Sequence, residues 1–157
     1  MGANMARRLK DQGYAITAVQ DRNTLVAKSL ARELSCEAAT TPVRVAELSE
    51  VVLTVVTDDT AMKEIFSEKD SSSLLNQAKG KLFINFATVS PKVHIQTEAS
   101  VEAKGGANLE ALMASSISQA REGTLYLMCG GKEPVFEKAR SILEALSSNL
   151  LYIGPAG

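Results

Sequence analysis

The sequence predicts an α/β domain built on a doubly wound, mostly parallel Rossmann-type sheet that is incomplete at its N-terminus. Three observations carry that expectation. Short apolar runs alternate with segments of helical periodicity along the whole chain. One run, Val51-Val52-Leu53-Thr54-Val55-Val56, is apolar on both faces, as a parallel strand covered on both sides reads. The chain also opens in a helical pattern with no strand ahead of it. Its 157 residues, 45% apolar and 22% charged, suffice for one domain with a buried core.

The opening helix is read from Met5, Ala6 and Leu9, with Gly13 as its stop. Ala15 to Val19 is a short apolar run bounded by Gly13 and Asp21-Arg22-Asn23, hence a buried strand. A helix follows on Leu25, Val26, Leu30 and Leu34, capped by Asn23 or Thr24. Pro42 starts a short helix, the run from Val51 to Val56 is the central strand, and Asp58-Asp59-Thr60 caps a helix through Met62, Ile65 and Phe66. Ser67 to Ser73 reads as a loop and Lys81 to Phe86 as a strand. Ser90-Pro91 supplies an N-cap with proline at the first helical position, and that helix should reach Gly105-Gly106. Asn108 to Met113 and Thr124 to Cys129 read as strands separated by a Ser-rich turn. Val135, Phe136, Ala139, Ile142, Leu143 and Leu146 share a helix face, and Leu150 to Ile153 is the last strand.

Seventeen basic against eighteen acidic residues give a net charge of -1, which carries neither a nucleic-acid footprint nor a membrane-seeking surface. No apolar run approaches the roughly 18 residues of a membrane helix. No signal peptide or myristoylation pattern opens the chain, so the expected compartment is the cytoplasm. Cys36 and Cys129 are far apart and His94 is the single histidine, which excludes a zinc site of those residue types and runs against a Ser-His-Asp hydrolase. His94 reads as part of a solvated helix face beside Lys92, Cys129 as a buried small residue, and Cys36 as a loop or helix-end thiol. Glu110, at the end of a strand, is placed to tie down a neighbouring loop.

Such a sheet binds its ligand outside the carboxyl ends of the strands. After the first strand stand Asp21 and Arg22. In a dinucleotide fold an acid there accepts from the adenosine ribose and an arginine pairs with a 2′-phosphate; the alternative is a plain turn with a helix cap. Gly2 precedes Asp21 by nineteen positions, the spacing between the last glycine of a G-x-G-x-x-G loop and that acid.

The chain resembles the β-hydroxyacid dehydrogenase family, the group of 3-hydroxyisobutyrate dehydrogenase and glyoxylate or succinic semialdehyde reductases. Met1-Gly2, Met5 to Leu9 and Gly13 are similar to the end of that family's glycine loop and its following helix. Val55-Val56-Thr57-Asp58-Asp59 resembles its M-L-P-D-D segment, with Thr57 in place of proline. Asn85 to Pro91 resembles D-M-S-T-I-S-P, matching in Thr88, Ser90 and Pro91. Leu109-Glu110-Ala111, Gly123-Thr124-Leu125, Met128 to Gly131 and Gly154 to Gly157 follow in the family's order.

The resemblance implies an NAD(P)-binding domain over residues 1–157, with the first strand and a C-terminal helical domain absent and both ends read as cut. It implies cofactor roles for Gly2 under the pyrophosphate, Asp21 or Arg22 at the ribose, Val56 and Thr57 along the cofactor, and Thr88 near the nicotinamide. Arg22 forks onto a 2′-phosphate that Asp21 would repel, so NAD and NADP both stay open, with Arg22 tilting the reading to NADP. Where the family's substrate segment has serine and two glycines, this chain has Ala114-Ser115-Ser116. Ser115 and Ser116 either meet the carboxylate of a small-molecule substrate or are turn residues. The family's lysine would follow the G-x-x-G, Lys104 and Lys132 are not its replacements, and no catalytic residue is named. The implied activity is hydride transfer to or from a small β-hydroxyacid or semialdehyde, this chain alone being inactive; the alternative is a catalytically inactive dinucleotide-binding or interaction module. Homo-oligomerisation of the full-length protein stays open.

Overall fold

In the computed structural model, which describes residues 1–157, helices and strands alternate from end to end. Helix α1 (Gly2–Asp11) buries Met5 and Leu9 and carries Arg8 and Lys10 in its last turn, where cations suit the helix dipole. Strands β1 (Ala18–Val19) and β2 (Glu37–Ala38) form a separate parallel pair flanking α2 (Thr24–Leu34). The larger sheet has the order β3 (Val51–Thr54), β4 (Leu82–Asn85), β5 (Ala107–Met113), β6 (Leu125–Gly131) and β7 (Ser147–Gly154). All its neighbours are parallel except β5 and β6. The remaining helices are α3 (Pro42–Leu48), α4 (Asp59–Ile65), α5 (Pro91–Ala103), α6 (Ile117–Glu122) and α7 (Glu133–Leu146).

The sheet is divided where the sequence predicts a missing strand. β3 ends the larger sheet and β1 pairs only with β2. Close to the starts of β1 and β3 the gap is bridged by side chains alone, through the Thr17 and Ser49 hydroxyls 2.8 Å apart.

Side-chain alternation along the strands sorts the core into two layers. Leu82, Ile84, Leu109, Leu125 and Leu127 pack with Met5 and Leu9 of α1 and with Phe136, Ala139 and Leu143 of α7. On the opposite face Val52 and Phe83 pack with Ala46, Met62, Val93 and Val101 of α3 to α5 and with Phe66, just after α4. That second face turns polar toward β5, where Thr54, Asn85, Asn108 and Glu110 are all buried.

Several expectations are corrected. His94 is 1% exposed, because α5 lies flat on the polar part of the sheet and presents Val93, His94, Thr97 and Val101 to it. On α2 the buried face is Ala27, Ala31 and Leu34, whereas Leu25 is 76% exposed; small alanines let the helix approach a sheet of only two strands. The first strand shrinks to Ala18–Val19, having one neighbour instead of two. The Ser-rich turn after β5 holds α6, started by a capping box between Ser116 and Gln119. β2 and a 3₁₀ turn at Leu74–Gln77 have no counterpart in the sequence reading, and β7 starts three residues earlier than expected.

Candidate functional site

The start of α1 and the loops after β1, β3, β4 and β5 lie at the carboxyl ends of the parallel strands. Gly2 rests against the end of β3: a Cβ on it would lie 3.3 Å from Val55 Cβ and 3.4 Å from Val55 Cγ2. Met1 supplies no side-chain cap, and the first turn of α1 contains no acid. Asn4 and Met5 donate their N–H groups to the Met1 carbonyl, while those of Gly2 and Ala3 have no partner within the protein. Two free donors at the positive end of a ten-residue helix suit an anion.

After β3, Val55 and Val56 are half-buried and Thr57 is exposed. The Thr57 hydroxyl donates to Asp58 Oδ2 at 3.0 Å, and Asp58 Oδ1 caps α4 by accepting from the Ala61 N–H at 2.9 Å. The Ala61 N–H and then the Thr57 hydroxyl hold the Asp58 carboxyl below its ordinary range, with a smaller part from the Arg22 charge. Asp59 reaches across to the next loop, where its two oxygens accept from the Ser90 N–H at 2.8 Å and the Ser90 hydroxyl at 2.7 Å. These two bonds, the backbone one first, depress the Asp59 carboxyl as well.

Ser90 is the N-cap residue of α5, with Pro91 following, yet its hydroxyl bonds to Asp59 rather than to its own helix. The clasp ties the start of α4 to the start of α5. Sequence reasoning missed its role, although the paired acids and the Ser-Pro step were both visible as motifs.

After β1, Asp21 Oδ1 accepts from the Asn23 N–H at 2.8 Å, closing a turn that sets Asn23 to cap α2 through the Leu25 and Val26 N–H groups. The second Asp21 oxygen is free. Arg22 extends to α4 and pairs with Glu64, in an ion pair exposed on both sides.

Beneath these loops a buried relay crosses three strands. The Thr54 hydroxyl donates to Asn85 Oδ1 at 2.6 Å, and Asn85 Nδ2 donates to Asn108 Oδ1 at 2.7 Å. Glu110 accepts the Gly157 N–H at 2.8 Å, tying the end of the chain to β5, and lies 3.9 Å from His94 Nδ1. Neither His94 nitrogen has a hydrogen-bond partner, nor does Asn108 Nδ2.

The two serines carry local structure. Ser115 Oγ accepts the Tyr126 N–H at 2.8 Å, and Ser116 caps α6. Lys132, directly after β6, the strand antiparallel to β5, is paired with Glu102 at 2.7 Å, and burial pushes the Cys129 thiol up to about 12.

A glycine-started helix, an acid and an arginine after the next strand, and ordered loops after two parallel strands define a dinucleotide-binding domain of the Rossmann type. The chain belongs to the family of the NAD binding domain of 6-phosphogluconate dehydrogenase, which it matches over residues 1–154. It is 30% identical over 158 residues to mitochondrial 3-hydroxyisobutyrate dehydrogenase of Mus musculus, covering 100% of this chain and 46% of that protein. It is also 30% identical over 157 residues to the cytokine-like nuclear factor N-PAC of Anopheles gambiae, covering 100% of this chain and 27% of that one. The chain thus spans less than half the length of these curated relatives. The fold superposes on 3-hydroxyisobutyrate dehydrogenase of Mycobacterium tuberculosis, solved with L-serine, with a TM-score of 0.89 at 24% identity, covering 99% of this chain and 52% of that structure.

Proposed function

We propose that this chain is the cofactor-binding part of an NAD(P)-dependent dehydrogenase or reductase acting on a small β-hydroxyacid or semialdehyde. The observation that carries the reading is the meeting of the uncapped α1 start, through Gly2 against Val55, with loops that the Asp59–Ser90 clasp holds at one end of the sheet. Gly2 and Ala3 N–H groups would hold the pyrophosphate, Asp21 or Arg22 the adenosine ribose, Val56 and Thr57 the middle of the cofactor, and Thr88 the nicotinamide end. When bound, the nicotinamide supplies or accepts the hydride. The chain's own groups bind and orient it. Neither Lys104, at the far end of α5, nor Lys132, paired with Glu102, stands beside these loops as a general acid or base, and this chain alone is expected to be inactive toward hydroxyacids.

A substrate carboxylate would meet Ser115, whose hydroxyl proton is free while its oxygen accepts from Tyr126, or Ser116 at the start of α6. A second reading, a dinucleotide-binding or interaction module without catalysis, is favoured by the equal identity to the nuclear factor. The expected cytoplasmic location belongs to the same proposal.

The divided sheet sets the expected affinity. Open strand edges at β1 and β3 leave backbone groups unpaired beside the phosphate site, so we expect dinucleotide binding to be weak until a strand fills the gap. Thermal unfolding with and without NADH or NADPH, on the 157-residue chain and on a version extended upstream by one apolar strand and a full glycine loop, tests this. A cofactor-raised melting temperature in the extended version is expected. Its absence with both cofactors refutes the cofactor reading, and an equal rise in the short chain refutes the role of the gap.

A further inference from the structure

Arg22 and Glu64 pose a question that the cofactor reading leaves open. Arg22 sits after β1, where a guanidinium would meet a 2′-phosphate, and its guanidinium is already paired with the Glu64 carboxylate of α4. The pair spans from the loop after β1 to α4, with the arginine side chain 73% and the glutamate side chain 58% exposed, so no packing or buried bond locks it. Two further acids belong to the same group. Asp21 precedes Arg22 and keeps one oxygen free, and Asp58, at the start of α4, lies within the reach of the Arg22 charge.

Resting on the cofactor reading above, we infer that Glu64 is a specificity-determining residue that occupies Arg22 and thereby lowers the affinity of the site for dinucleotides bearing a 2′-phosphate. Two physical effects act in the same direction. A phosphate must displace the carboxylate to form its own fork with the guanidinium. It must also approach a site that sets the acids Asp21, Asp58 and Glu64 beside Arg22. A dinucleotide with a free 2′-hydroxyl meets neither obstacle, since the free Asp21 oxygen can accept from that hydroxyl. The tilt toward NADP that Arg22 alone suggests is therefore offset by a residue 42 positions further along the chain.

The inference separates Glu64 from Arg22 in the laboratory. The probes are 5′-AMP and adenosine 2′,5′-bisphosphate, which differ only in the 2′-phosphate, titrated by ligand-observed NMR onto the full 157-residue chain. Wild type, Glu64→Gln, Arg22→Ala and the double variant are compared. Far-UV circular dichroism should be unchanged, because both side chains are exposed.

Glu64→Gln is expected to raise the affinity ratio of bisphosphate to AMP about threefold to tenfold, as expected for losing one exposed ion pair and one nearby like charge. In the Arg22→Ala background the same substitution should raise it much less. An unchanged ratio in Glu64→Gln, with wild type binding both probes, overturns the inference and leaves the cofactor reading intact. An equal rise with and without Arg22 shows that Glu64 acts by bulk charge and overturns the occupancy argument. If no variant of the 157-residue chain binds either probe, the inference falls, while the cofactor reading is decided separately by the melting of the extended version.

Discussion

Replacing Thr54 with valine tests the relay that underlies the loops after β3 and β4. The change conserves shape and removes one hydroxyl, the donor of the 2.6 Å bond to Asn85 Oδ1. Thr54 is 5% exposed and Asn85 is 0% exposed, so water cannot take the place of the lost donor. Asn85 still donates to Asn108, but its carbonyl oxygen would be buried without a partner. A buried acceptor left unpaired costs about 1–3 kcal/mol. The extra methyl of valine returns somewhat under ~1 kcal/mol of apolar burial. The net expectation is a loss of about 1–2 kcal/mol, or ~2–8 °C in melting temperature for a domain of this size. Urea unfolding followed by circular dichroism measures it, with an unchanged m-value showing that the same surface is exposed. A midpoint equal to or above that of the parent would mean that the relay adds nothing and that strand packing alone places the loops after β3 and β4.

The Asp59–Ser90 clasp gives a pH signature. Both bonds favour the charged carboxylate and lower its folded-state pKa, so the stabilisation is fully present above the unfolded carboxyl pKa of about 4 and is lost as pH falls through the depressed folded value. Ser90→Ala should accordingly lower stability by a constant amount at pH 5 to 8, with the gap to the parent closing below about pH 4. A gap that stays constant down to pH 2 would remove the carboxylate from the explanation. His94→Leu should stabilise the chain by up to about 1–2 kcal/mol, because an imidazole with two unpartnered nitrogens is replaced by an apolar side chain that needs none. A clear fall in melting temperature would show that the imidazole carries a bond worth keeping.

What the sequence determined by itself is the class of fold and the position of the loops. The apolar runs at Val51 to Val56 and Leu82 to Phe86 hold the parallel strands β3, at the edge of the larger sheet rather than its centre, and β4 beside it, and Asn23, Asp58 and Pro91 start helices as their residue types dictate. Local propensity and apolar periodicity act over a few residues, so they are readable along the chain. The tertiary structure decided what those signals cannot contain. Whether His94 faces solvent depends on which side of α5 meets the polar part of the sheet, and a helix with polar residues all round does not announce its inner face. The serine of the Ser-Pro step gave its hydroxyl to Asp59, a partner 31 residues away, rather than to its own helix. Arg22, read alone, pointed to a 2′-phosphate; only the packing of α4 beside the loop after β1 brought Glu64 to it. Pairings between distant residues follow from how elements stack, and the free energy that selects them belongs to the assembled core.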